Sequence, residues 1–364
     1  MKHLNKMIKY LFGLLLFTQV SCQKATENKK NMDREKFVWE EQMSAPLGYP
    51  VEVYKGGIGF KSLTNGICTG KYGWGSPKSG MSKSSDWMPQ FLNVTWLSYA
   101  EDCFYHIETP IDHEKLYDLF KKGFDYKVSS GSGEIRHGTY DGICTGFAPG
   151  GVVVVWAVAA SRQTEIGRYK AEKIVIPESE ISHLDSHQRL LFDPKFKDGI
   201  LTSKDVVPLK VQSENKNKPI PFGLWDSYRI KYNWKTIFIL SEGSVLSENS
   251  ELGIDFLNGE SSQIFNESFP LKKFESNAAP KALSFSWKSK DGTQYAGNCT
   301  FEESSSFKAF KEIYGEQPGK ITADLEIKVN MANTFFTVTL KGSNGKEVFI
   351  KTDSLEVFKV KQYK

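Results

Sequence analysis

His183 and His187 stand four residues apart with Asp185 between them, a spacing that on a helix puts both imidazoles on one face, where they can share a metal ion. Segment 182–189 is short and brings no third ligand, so two surface histidines are the expected outcome. His106, Glu108, Asp112 and His113 bracket a strand-to-helix turn and supply the side-chain types of acid–base catalysis. His113 at the helix start also reads simply as a solvated first-turn residue. Cys68 and Cys144 occupy near-identical hexapeptides, 65–70 and 141–146. Paired strands would make them a candidate disulfide, while buried thiols packing as small apolar groups are the alternative. No cysteine lies in a C-x-x-C pair, and Ser130-Gly131-Ser132-Gly133 lacks the strand and helix that a phosphate cradle requires. G-x-S-x-G, P-loop, H-E-x-x-H and strand-linked G-x-G-x-x-G patterns do not occur. These residues point away from an enzyme, with no catalytic residue, no metal and no cofactor expected. The long glycine-rich segment 72–80 offers Trp74 and Lys78 as an exposed partner contact instead.

The elements that must position these groups read mostly as sheet. From residue 37 the chain alternates short aromatic and β-branched runs with Gly, Pro, Asn and Asp. Segments 51–54, 91–96 and 102–107 are strands by this reading, and 152–158 is continuously apolar, the mark of a strand buried on both faces. Asp112 caps a helix with Leu116, Leu119 and Phe120 along one stripe, Lys121 and Lys122 in its last turn and Gly123 as its stop. A second helix spans 304–314, with Phe307, Phe310 and Ile313 on one face and Gly315 after it. Trp96-Leu97-Ser98 precedes the first helix by one strand, as Trp287-Lys288-Ser289 precedes the second. Apolar strands follow both helices: 151–158 in one case, 325–329 and 336–340 in the other, with a hairpin turn at Asn344-Gly345.

The expected fold is therefore α+β, predominantly antiparallel β-sheet with one or two helices per unit. A duplicated β-β-α-β-β unit, near 50–175 and 275–360, is one explanation of the pattern; chance recurrence in an α+β protein is the other. Residues 212–219 are expected as a loop, and 225–230 with 232–234 as an aromatic strand pair. The domain boundaries that follow are an N-terminal α+β domain at 37–180, an aromatic-rich β segment at 181–270 and a C-terminal β-rich domain at 271–364.

The first 36 residues are of a different kind. Lys2, Lys6 and Lys9, an apolar run over 11–17 and Thr18-Gln19-Val20-Ser21 describe a secretory signal peptide at 1–21. As a helix, 10–20 would rise only about 16 Å, half of a bilayer core. Cys22 directly after Ser21 resembles the lipobox cysteine of bacterial lipoproteins, with Gln19 where Leu is usual. Cys22 is the expected lipid attachment site, and multiple acyl chains would hold the protein stably on a membrane. Gln23 in place of Asp and the single acid Glu27 within 23–27 favour the outer membrane, on its periplasmic face. Residues 22–36 are almost wholly polar and are expected to act as a flexible tether. Loss of Lys2, Lys6 and Lys9 with the signal lowers the formal charge from +4 to +1, and no basic stripe remains for nucleic acid.

A set of motifs also occurs in a familiar order: Ala45-Pro46-Leu47-Gly48-Tyr49-Pro50, Val94-Thr95-Trp96-Leu97-Ser98, Gly146-Phe147-Ala148-Pro149-Gly150-Gly151 running into Val155-Trp156, Glu165-Ile166-Gly167-Arg168-Tyr169, and Leu224-Trp225-Asp226-Ser227-Tyr228-Arg229 with Tyr232-Asn233-Trp234. Over roughly residues 40–240 the chain resembles the bacterial lipoprotein family of domain of unknown function 2931. The resemblance implies an envelope-anchored lipoprotein without assigned catalytic residues. Some members of that family are encoded beside phospholipase toxins, which implies a protein-binding module and, for such members, an immunity protein against a lipase-type toxin. The expected partners are thus the membrane through the N-terminal lipid and a toxin or envelope protein. An envelope hydrolase acting on glycan or lipid, and a purely structural envelope component, stand as the alternatives.

Overall fold

The computed structural model describes residues 35–360 apart from 78–79, 81–82, 129–133 and 247–249. In chain order its first half contains β1 (Lys36–Ser44), β2 (Val51–Ile58), β3 (Lys61–Ser62), β4 (Ser84–Trp87), β5 (Phe91–Ser98), β6 (Cys103–Pro110), α1 (His113–Lys122), β7 (Phe124–Lys127), β8 (Ile135–Gly138), β9 (Gly142–Ala148), β10 (Val152–Ala159), β11 (Arg162–Lys170) and β12 (Glu172–Ile174). Five short helices follow: α2 (Glu178–Ile181), α3 (Ser186–Leu190), α4 (Pro194–Thr202), α5 (Leu209–Asn215) and α6 (Leu224–Ser227). The second half contains β13 (Tyr232–Ile239), β14 (Glu251–Phe256), β15 (Ser261–Phe265), β16 (Glu275–Asn277), β17 (Pro280–Lys288), β18 (Gln294–Phe301), α7 (Glu303–Tyr314), β19 (Thr322–Val329), β20 (Phe336–Gly342), β21 (Glu347–Phe349) and β22 (Thr352–Lys359). The fold is α+β and dominated by sheet, as the residue patterns imply.

The two halves share one topology. In the first, β12-β6-β5-β2-β3 form one sheet and β4-β1-β9-β10-β11 a second; in the other, the sheets run β22-β18-β17-β14-β15 and β16-β13-β19-β20-β21. The only parallel pairings among the described strands, β1 with β9 and β13 with β19, fall at the same place in both halves. Helices α1 and α7 each follow the equivalent strand, β6 or β18. The repeat is therefore real and larger than a β-β-α-β-β unit: it spans 36–174 and 232–359. A single residue pair, Gln163 with Ser261, joins β11 to β15 and fuses one sheet from each half into a ten-stranded sheet.

Each half buries a core between its two sheets. Trp39, Trp96, Phe147, Val153 and Val155 fill the first, and Trp234, Trp287, Phe310, Leu325 and Val338 the second. β10 explains its own sequence: Val153, Val155 and Ala157 face the first core while Val152, Val154, Trp156 and Val158 face the larger one, so no position tolerates a polar residue. The cap of α1 is as the residues dictate: Asp112 accepts from the backbone N–H of Lys115 at 3.0 Å, Leu116, Tyr117 and Phe120 are buried, and the Gly123 N–H closes the last turn on Leu119 O. Among the described residues no helix is long and apolar enough to cross a membrane.

Three expectations require correction. The segment 181–270 is not a β unit: its first part is helical, and β14 and β15 belong to the second repeat, so the boundary at 270 cuts through a sheet. Residues 212–215 end helix α5 rather than forming loop. Residues 225–230 are a helical turn, because Trp225 and Tyr228, three apart, share one buried face while Asp226 and Arg229 share another. On that second face Arg168 grips Asp226 through two 2.7 Å bonds, and Arg229 grips Glu165 at 2.6–3.1 Å. The helices α2–α4 lie on the outer face of the first sheet, where Phe192 stacks on Phe104 at 4.9 Å and Leu191 and Ile176 pack with Tyr54 and Tyr99.

Buried tyrosine–carboxylate pairs recur through this half. Tyr54 donates to Glu180 at 2.8 Å, Tyr117 to Glu35 at 2.8 Å and Tyr105 to Glu101 at 2.7 Å. Desolvation and then the adjacent carboxylate push Tyr54 and Tyr117 up to about 12, and Tyr99 and Tyr105 also rise. A phenol whose folded pKa is raised favours the folded state fully below its ordinary value near 10, and loses that contribution as pH climbs through the folded value. The urea midpoint should therefore hold steady up to about pH 10 and fall steeply by pH 12. A urea midpoint at pH 12 equal to that at pH 9 would refute this.

Candidate functional site

Among the described residues, nothing covers in the second repeat the sheet face that helices cover in the first. There β14, β17 and β18 send Leu252, Ile254, Leu283, Phe285, Cys299 and Phe301 into the core and, with β22 and by alternation, mostly small polar residues outward. Strand register aligns the outward residues into two rows. Gly253, Ser284, Asn298 and Glu356 form one; Asp255, Ala282, Thr300 and Ser354 form the other. Thr300 and Ser354 are hydrogen-bonded at 2.7 Å across the strands. In the first repeat the corresponding face carries Tyr54, Leu97, Tyr99 and Phe104 and is sealed by Leu191 and Phe192. The change from aromatic to hydroxyl and amide side chains is why helices cover one face and leave the other open.

A cavity of about 560 Å³ lies over these rows and runs into a second, of about 580 Å³, at the junction of the repeats. The wall of the second cavity is the glycine-rich loop, and Lys281 from β17 holds it there. The Lys281 ammonium donates to Tyr72 O at 3.0 Å, Trp74 O at 3.2 Å and Ser76 Oγ at 3.1 Å, using all three of its protons. Desolvation lowers its pKa, while Glu303 and Asp255 act to keep it charged. Asp255 itself opens onto the groove, yet the surrounding protein raises its carboxyl, with Lys281 opposing. Gln163 Nε2 bonds Gly75 O at 2.7 Å from below. Gln42, buried at the end of the groove, bonds Glu40 through Nε2 and leaves Oε1 without a partner among the described residues.

Trp74 was expected to stand exposed on this loop, and it does not. It is 2% exposed, packed edge-on to Trp156 at 5.1 Å, and forms the base of the wall rather than its surface. Glycines at 73 and 75 let the backbone dive, which places the neighbouring Tyr72, 70% exposed, outside in its stead. Lys78, Cys22 and the Ser130–Gly133 stretch lie outside the described residues.

Cys68 and Cys144 are both buried and carry thiols rather than a bridge, as do Cys103 and Cys299. Burial pushes the Cys144 thiol well up, and the nearby Cys68 pushes it further, so the two face one environment. The acid–base set is dispersed among local partners. His106 Nδ1 bonds Thr95 Oγ1 at 3.0 Å, His113 Nδ1 contacts Pro89 O at 3.2 Å, Asp112 is the helix cap, and Glu108 is exposed. His183 and His187 do not share a face, because Asp185 starts a new helix between them by accepting from Gln188 N at 2.8 Å. Among the described residues no group of three His, Cys, Asp or Glu side chains is arranged to hold a metal. The alternation of 281–287, not used in the sequence reading, is a half-buried strand pattern; that Asp255, Ser284, Asn298 and Glu356 would form rows required knowing which strands are neighbours.

The groove has a floor that accepts and donates hydrogen bonds, acids that outnumber Lys281, and a pinned wall. No curated protein matches the chain, and no solved structure does. A family match does exist, over residues 23–223, which takes in the whole first repeat and the helices that cover it. The second repeat, with the open groove floor, lies beyond that match. On the strength of a match to more than half its length, the chain belongs to the family described as "Protein of unknown function (DUF2931)".

Proposed function

We propose that this chain is a cell-envelope lipoprotein, acylated at Cys22 and carried on the periplasmic face of the outer membrane, that binds a protein partner along the groove. Its specific form is an immunity protein that occludes a lipase-type toxin. The observation that carries the binding role is the bare outer face of the second repeat, with its two rows of small polar residues and a rigid wall beside them. Glu356, Asp255 and Glu260 line the same groove, so a segment bearing Lys or Arg is the complementary occupant. The lipobox-like context of Cys22 supports the anchor, and the gene neighbourhood of some family members supports the immunity role.

The test is protection. Where the neighbouring gene encodes a toxin-like product, cells producing that product should survive with the wild-type chain and die with the Ser284→Arg/Asn298→Arg variant. Affinity for the purified toxin should fall by at least about 100-fold, with an unchanged melting temperature, since both side chains sit at the groove surface. Protection by the double variant would overturn the groove as the binding site. Cys22→Ser should abolish labelling by a fatty-acid analogue and release the protein from membranes; a labelled, anchored variant would overturn the lipoprotein reading.

A further inference from the structure

At the opposite end of the ten-stranded sheet, strand β4 forms the edge, and beside it three large aromatic side chains stand in solvent. Phe60 is 84% exposed, Phe91 40% and Trp87 38%. Phe60 and Phe91 meet edge-on at 6.1 Å, and a cleft of about 260 Å³ separates them from Met88, Pro89 and His113. Val38, 55% exposed, extends the apolar surface along β1 on the face that Trp87 shares with Lys36. The Lys36 ammonium sits 5.1 Å over the Trp87 ring, a cation at the rim of an aromatic cluster.

The position of this patch says what covers it. Lys36 pairs with Trp87, so the patch adjoins the place where the chain from Cys22 joins the fold. Glu35 is fixed there by Tyr117 and Lys121, at 2.8 Å and 2.7–2.8 Å. Residues 23–34 can span at most about 40 Å, so an acylated Cys22 would hold this end of the molecule within that distance of the bilayer and make it the end nearest the surface. Aromatic rings with a lysine at their edge are the side chains that settle at a membrane interface. The geometry points to the Phe60–Trp87–Phe91 face as the surface on which the protein rests on the bilayer carrying its anchor. This rests on the lipoprotein reading of Cys22. It has a consequence for the groove: at about 4.8 Å per strand, its floor of β14, β17, β18 and β22 stands about 30–40 Å along the sheet from β4, open to a periplasmic partner.

Trp87 is also the reporter. The other seven of the eight tryptophans are buried, at 0–2% exposure, so a change in emission on vesicles reads Trp87. The full mature chain carrying Cys22→Ser, which has no lipid, is mixed with phosphatidylethanolamine/phosphatidylglycerol vesicles. Blue-shifted emission, quenching by brominated lipid and co-sedimentation are expected. The Phe60→Ser/Trp87→Ser/Phe91→Ser variant should lose co-sedimentation by at least about tenfold, while Met331→Ser, at a distant residue 88% exposed, should not. Unshifted emission at saturating vesicles, or equal partitioning of the triple variant, would overturn the proposal. An emission shift that follows protein concentration without vesicles would also overturn it, by assigning the patch to a second copy of the chain. Because the assay protein is unlipidated, these results are independent of whether Cys22 is acylated in cells.

Discussion

Lys281→Met should destabilise the protein by about 2 kcal/mol and free the glycine-rich loop, although it removes a charge whose burial is itself unfavourable. Two opposing effects meet at this residue. Desolvation of the ammonium is a cost, visible in its lowered pKa, and methionine of similar length removes it. Against this, Tyr72 O and Trp74 O lose their donor and Ser76 Oγ loses its partner. A buried acceptor left without a partner costs about 1–3 kcal/mol, and Trp74 O bears that cost, whereas Tyr72 O, on an exposed residue, can turn to water. Asp255 and Glu303 also lose the positive charge that faces them, and the Asp255 carboxyl should rise further. Urea unfolding measures the stability change, and limited proteolysis within 72–77 measures release of the loop. A variant that melts within about 0.5 kcal/mol of wild type and resists cleavage would show that packing of Trp74, not the lysine, holds the wall.

Gly75→Ala should cost more, for a different reason. Gly75 has φ +79 and faces Gly259, at φ +86, across the junction of the repeats. A β-carbon on Gly75 would lie 2.2 Å from the α-carbon of Gly259, and one on Gly259 would lie 2.8 Å from the Trp156 ring. Neither obstacle is the end of a flexible side chain, so the junction itself must open. The left-handed conformation alone costs an L-residue about 1–2 kcal/mol, and separation of the two backbones adds to it, for about 3 kcal/mol in all. Gly66→Ala separates the two contributions: Gly66 has φ +69 but open space where its β-carbon would go, so it should lose only about 1 kcal/mol. Equal melting temperatures for the two alanine variants would show that the close approach of Gly75 and Gly259 carries no energetic weight.

Both predictions concern the seam between repeats, and the seam was the part least visible in the residues. Local signals were clear. The all-apolar β10, the Asp112 and Gly123 ends of α1, the stripe of Phe310 and Ile313 on α7 and the Asn344-Gly345 turn each follow from chemistry within a few residues. The parallel placement of Trp96 and Trp287 ahead of a helix was legible in the same way, and it marks equivalent strands of a real repeat. The helices α2–α6 were harder, because their apolar residues are sparse and short runs carry little periodicity.

By itself, the sequence determined the two long helices and the strands with the strongest patterns, β2, β5, β6, β10, β13, β19 and β20, since alternation and capping act between neighbours in the chain. Only the tertiary structure decided what each face meets. The loop tryptophan Trp74 is buried because Trp156 and a lysine some two hundred residues away close over it. The face of β5 and β6 is sealed by helices, while the equivalent face of β17 and β18 is open. A period of two distinguishes the two sides of a strand; it carries no information about which remote segment will cover either side, because that is settled by packing between elements far apart in sequence.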